Sequence, residues 1–77
     1  MEQKIKQDNT CIGYNICKLR LAQDIGQTEL VRRLQLLGIS MTRETLVKIE
    51  RGIQHISISQ LRGIKEVLNT TYDNLLE

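Results

Sequence analysis

Residues 42–52 read TRETLVKIERG. Thr42 is a good N-cap, because a threonine hydroxyl can accept from an amide that the first helical turn leaves without a partner. Gly52 is suited to the left-handed conformation that ends a helix. Between and just beyond them, Leu46, Ile49 and Ile53 fall at i, i+3 and i+7 and point inward. Arg43, Glu44, Val47, Lys48 and Arg51 are left mostly outside. The spacing predicts a short helix from Thr42 to about Arg51, with an apolar inner stripe and an outer face rich in hydrogen-bonding groups.

Working back along the chain, Leu30, Val31, Leu34 and Leu37 line one stripe of a preceding helix that begins after Gly26. Glu29 sits in its first turn, where the helix dipole favours a carboxylate. Gly38 looks like its stop, with Ile39 supplying the apolar contact that often follows. Before that, Ile12, Ile16, Leu19 and Gln23 share the face of a first helix, capped by Asn9 or Thr10 and ending near Gln23 or Asp24. Residues 1–10 (MEQKIKQDNT) show no apolar period and read as a flexible arm carrying Lys4 and Lys6.

Downstream, Ser57 and Gln60 have the spacing of a capping box for a fourth helix bearing Ile58, Leu61, Ile64 and Leu68. Asn69 can take the left-handed conformation that stops it. Thr70 or Thr71 then caps a last short helix with Tyr72, Leu75 and Leu76. No alternating strand pattern or repeat appears. The expectation is an all-α domain over residues 11–77, a compact bundle of five short helices.

Composition agrees with that class. The chain has 77 residues, too few for a two-domain enzyme, and Ile and Leu supply 21 of its 31 apolar residues with no Phe, Trp or Pro. Cys11 and Cys17, six residues apart on a helix, are separated by about 9 Å of rise, too far for a disulfide. A reduced cytoplasmic protein is the simpler reading. No apolar run approaches the ~18 residues of a membrane span, so no membrane partner is expected. One His and two Cys make no zinc tetrad, no glycine-rich phosphate loop is present, and no nucleophile–base set suggests catalysis. Neither enzyme activity nor a cofactor is expected.

The net charge of +2 is too small for an electrostatic nucleic-acid coat, yet it is unevenly spread. Residues 27–55 hold five basic and three acidic groups, against two and three in residues 56–77. Two aromatics, Tyr14 and Tyr72, are too few for a surface that stacks single-stranded bases. Two short helices in succession, the second with a polar outer face, instead fit a helix-turn-helix. In a major groove Arg43 can offer two donors to guanine, Lys48 a cation to guanine or phosphate, and Glu44 an acceptor to the cytosine amino group. Thr42 and Thr45 can bond a phosphate or base edge. A merely solvated helix face would carry the same residue types.

The segments IGYNICKLR (12–20), IGQTELVRRL (25–34), TRETLVKIERG (42–52) and VLNTTYDNLL (67–76), taken in order, resemble the lambda-repressor/Cro-like helix-turn-helix family, the XRE-type regulators. The resemblance spans roughly Ile12 to Leu76. It implies a lambda-repressor-like DNA-binding domain, with Thr42, Arg43, Glu44, Thr45 and Lys48 at base-contacting positions of the recognition helix. It further implies phosphate contacts from Gln27 and Arg51, and a structural salt bridge between Arg20 and Glu50. The seven residues between Leu34 and Thr42, QLLGISM, exceed the common turn of the family by about five and look like a longer-turn subgroup. Gly26 stands where the family usually has Ser or Thr.

The function so implied is a sequence-specific regulator of transcription, of prokaryotic or phage type. It would act as a repressor, binding double-stranded DNA as a homodimer on an inverted repeat. The end of the fourth helix and the fifth helix, with Tyr72, Leu75 and Leu76, are the candidate self-association surface. The alternative is a protein-interaction or antitoxin-like module on the same scaffold, which the small net charge and the acidic Glu44 favour slightly.

Overall fold

Backbone carbonyls left over at the ends of helices must find donors, and this chain solves that problem the same way four times. The computed structural model describes residues 4–5 and 11–77, and places helices at α1 (Ile12–Ala22), α2 (Gln27–Leu36), α3 (Arg43–Glu50), α4 (Ile58–Val67) and α5 (Tyr72–Leu76). Each of α1 to α4 ends with one residue at positive φ: Asp24 at 58°, Gly38 at 80°, Gly52 at 77° and Asn69 at 50°. In each case the amide of that residue and the next one reach back to the final turn. Gly38 bonds the Gln35 carbonyl and Ile39 the Leu34 carbonyl, both at 3.0 Å. Gly52 and Ile53 do the same to Ile49 and Lys48, again at 3.0 Å. This is the Schellman arrangement.

The helix starts are also locally encoded. The Thr42 hydroxyl accepts from the Thr45 amide at 3.1 Å, and the Thr71 hydroxyl accepts from the Asn74 amide at 3.1 Å. Ser57 and Gln60 form the full capping box, with each side chain bonded to the other's backbone amide. The first helix departs from expectation: its N-cap is Cys11, whose side chain makes no cap bond. Asn9 and Thr10 lie outside the described residues.

The apolar stripes meet in one core. Ile12 and Ile16, Leu30 and Leu34, Leu46 and Ile49, Leu61 and Ile64, and Leu75 bring all five helices into it. Helix α1 packs on α3 and α5, and α2 packs on α3 and α4, so α3 is held between the first two helices. Three apolar positions expected on the stripes are exposed, among them Ile58, 41% exposed at the first residue of α4. Leu37 is 50% exposed because α2 has already ended there, and Ile53 is 68% exposed because the turn after Gly52 carries it past the edge of the core. Ile25, Met41 and Ile56 fill the core instead, all three from connections between helices.

The long connection from α2 to α3 is pinned along its length. Ile39 and Leu34 crowd the bare Cα of Gly63 on α4 so closely that any Cβ there would overlap Ile39. Met41 is buried, the Gln35 side chain donates to the Met41 carbonyl at 3.2 Å, and the Gln60 side chain donates to that of Ser40 at 3.4 Å. Among the described residues the only strand pairing is a two-residue ladder. β1 (Lys4–Ile5) runs antiparallel to β2 (Ile56–Ser57), Lys4 opposite Ser57 and Ile5 opposite Ile56. The arm expected over residues 1–10 otherwise lies outside the described residues. Ile56 and Ser57 are buried, and the Ser57 amide is satisfied by the Gln60 side chain of the capping box at 3.0 Å. No helix among the described residues is long and apolar enough to cross a membrane.

Candidate nucleic-acid interface

Helix α3 has two opposite faces with unlike chemistry, and the inner one fixes the outer one in place. At its last turn, Glu50 turns inward and meets Arg20 from α1. The Arg20 Nε donates to one Glu50 carboxylate oxygen at 2.9 Å and Nη2 to the other at 3.0 Å, a two-pronged ion pair. Both side chains are nearly out of solvent, 7% and 5% exposed. Arg20 Nη1 donates to the Ile25 carbonyl at 2.9 Å, and Nη2 also approaches the Cys17 sulfur at 3.6 Å. The hydrogen bond to Glu50 raises the Arg20 pKa above its ordinary value, outweighing the opposite effect of burial.

Gln27, the first residue of α2, joins the same carboxylate. Its Nε2 donates to Glu50 Oε1 at 3.1 Å, so Glu50 accepts from two helices at once. Close to this cluster, α1 and α3 touch backbone to backbone: a Cβ on Gly13 would overlap the carbonyl oxygen of Ile49 and crowd the backbone of Glu50. Charge pairing and close approach together leave α3 no freedom to roll about its axis.

The outer face is solvent-exposed at Arg43, Glu44, Lys48 and Arg51, with Val47 half-buried among them. Arg43, Val47 and Arg51 stand four residues apart and form one row, and Glu44 and Lys48 form the next. None of these four charged side chains has a hydrogen-bond or ion-pair partner among the described residues. Arg51 is the C-cap residue, in a helical conformation that continues the outer face by one position.

The two threonines stand apart from that group. Thr42 Oγ1 accepts from the Thr45 amide and donates to Thr45 Oγ1 at 3.1 Å, which commits the Thr42 hydroxyl to the helix start. Thr45 is half-buried, whereas Thr42 is exposed.

Elsewhere on α2, Glu29 accepts from Arg32 at 2.9 and 2.6 Å and from Arg33 at 2.7 Å. Those bonds, first from Arg32 and then from Arg33, hold its carboxyl down to a pKa of about 2. The basic residues of α2 are thus partly neutralised by their own helix, whereas those of α3 are not.

Sequence reasoning did not single out Asn15 or the role of Gln23. Asn15 is buried on α1, and its side chain donates to the Leu75 carbonyl at 3.0 Å, tethering α5. Gln23 donates to the Leu68 carbonyl at 2.6 Å, closing the end of α4. An asparagine among Ile12 and Ile16 on the apolar face of the first helix was the one available signal. No family model, curated protein or solved structure matches the chain, so any functional assignment rests on the arrangement just described.

Proposed function

We propose that this chain is a sequence-specific binder of double-stranded DNA, a regulator of transcription of the prokaryotic or phage type with a lambda-repressor-like domain. The observation that carries this reading is the outer face of α3: Arg43, Glu44 and Lys48 are exposed and have no hydrogen-bond or ion-pair partner among the described residues, on a helix fastened from behind by Arg20, Glu50 and Gln27. A helix read by base edges must project a fixed pattern of donors and acceptors, and the buried clamp supplies that fixity. Arg51 and Gln27 flank the face at positions suited to phosphate, Arg51 with an exposed guanidinium and Gln27 at the first turn of α2, where helix dipoles favour anions.

One module of this size covers only ~600–1,000 Å² on DNA, small for a specific complex. A homodimer on an inverted repeat, with half-sites about one helical turn apart, doubles the contact. Tyr72 and Leu76, both partly exposed on α5, are the residues this dimer would use, while Leu75 is fully buried in the core. In this reading the chain acts as a repressor by occupying its operator, a role that needs no catalytic group.

A second reading is favoured by a different surface. Tyr14 and Leu21 are 65% and 63% exposed on one side of α1, and the charge of +2 is low, as a protein-interaction or antitoxin-like module would have.

Selection from a randomised duplex library near physiological salt separates the two. The DNA reading expects an enriched inverted repeat, and loss of that enrichment in Arg43→Ala and Lys48→Ala variants that keep their circular dichroism. A folded parent chain that enriches nothing overturns it in favour of a protein partner.

A further inference from the structure

We infer that Glu44 fixes the identity of one base pair, holding cytosine at one position of each half-site; the inference rests on the DNA-binding reading above. Five side chains of the first two turns of α3 have groups able to bond a base edge. The structure divides them. The Thr42 proton is engaged at the helix start, Thr42 Oγ1 serving as acceptor to the Thr45 amide and donor to Thr45 Oγ1, whereas the half-buried Thr45 hydroxyl keeps its own proton. Arg43, Glu44 and Lys48 are exposed and without a hydrogen-bond or ion-pair partner among the described residues.

Of these three, the two cations suit guanine but equally suit any phosphate. Glu44 has no such latitude. A carboxylate brought into a major groove meets phosphates on both walls and acceptors on most base edges: guanine N7 and O6, adenine N7, thymine O4. Only two groups there donate, the cytosine N4 amino and the adenine N6 amino. Beside adenine N6 lies the N7 lone pair, which repels the second carboxylate oxygen. Beside cytosine N4 lies a C–H, which does not. An anion that loses water and finds no donor is penalised, so Glu44 acts mainly by refusing the other three bases. The same carboxylate lowers attraction to DNA at large, which accords with a chain whose charge is only +2.

The test is the duplex selection repeated with Glu44→Gln and Glu44→Ala, both changes at an exposed position. A glutamine amide bonds adenine through N6 and N7 together. In the parent, one position of each half-site prefers cytosine over adenine by about five- to tenfold. Glu44→Gln turns that position to adenine and leaves the rest of the motif alone. Glu44→Ala flattens it, and both variants bind a scrambled duplex more tightly than the parent. A parent motif that all three proteins share, unchanged at every position, overturns the role of Glu44 while leaving DNA binding intact. A parent that enriches no motif overturns both.

Discussion

Glu50 accepts hydrogen bonds from Arg20 on α1 and from Gln27 on α2, and its own backbone ends α3. Three helices therefore share one carboxylate. Removing either member of a buried ion pair leaves the other desolvated and uncompensated, which costs about 3–5 kcal/mol. Arg20→Ala and Glu50→Ala should each lower the unfolding free energy by that amount in urea titrations. Gln27→Ala removes only a neutral donor and should cost about 1 kcal/mol, with Arg20 still neutralising the carboxylate. A Gln27 variant as unstable as the Arg20 variant would mean that the amide, not the guanidinium, holds Glu50.

At the scale of elements, the helix termini explain why so much of the architecture was readable in the residues. Schellman turns and capping boxes depend on neighbours three to six positions away, so Gly38, Gly52, Asn69 and the Ser57–Gln60 pair could be recognised without tertiary knowledge. Leu37 and Ile53 could not: each continues an apolar period, and only the geometry of the following turn decides that it faces solvent. Asn15 with Leu75 and Gln23 with Leu68 join residues 60 and 45 apart, beyond any local pattern. The outer residues of α3 were legible as exposed because polar groups at helical spacing have nowhere else to go. The engagement of Thr42 with Thr45 was only half legible, as a cap and as a reading group at once. Close approach between elements gives a further expectation. Gly13→Ala forces α1 away from the Ile49 carbonyl, and should cost about 1–3 kcal/mol by overpacking, read as a drop in the urea midpoint. Gly26→Ala, at a glycine with nothing near it, is the control and should cost far less than the Gly13 change.

The whole molecule has one core reached by every helix, with a Cα radius of gyration of 11.0 Å against ~11.5 Å expected for a folded chain of this length. No helix buries its stripe independently of the others, so none should melt alone. Unfolding followed by tyrosine fluorescence, from Tyr14 on α1 and Tyr72 on α5, should superimpose on unfolding followed by far-ultraviolet circular dichroism. Separated curves would mean that α5, held through Leu75 and Asn15, detaches before the rest.

The clamp behind α3 also bears on how such a chain can change over time. What secures the helix (Leu46, Ile49, Glu50) and what it displays (Arg43, Glu44, Lys48) occupy interleaved positions of the same eight residues, with no side-chain hydrogen bond or ion pair between the two groups. Substitutions at exposed positions away from caps and core usually shift stability by no more than about 0.5 kcal/mol. The displayed residues are thus free to drift into new combinations while the scaffold stays as it is, and under the DNA-binding reading proposed above a copy of the gene acquires a different target in very few steps.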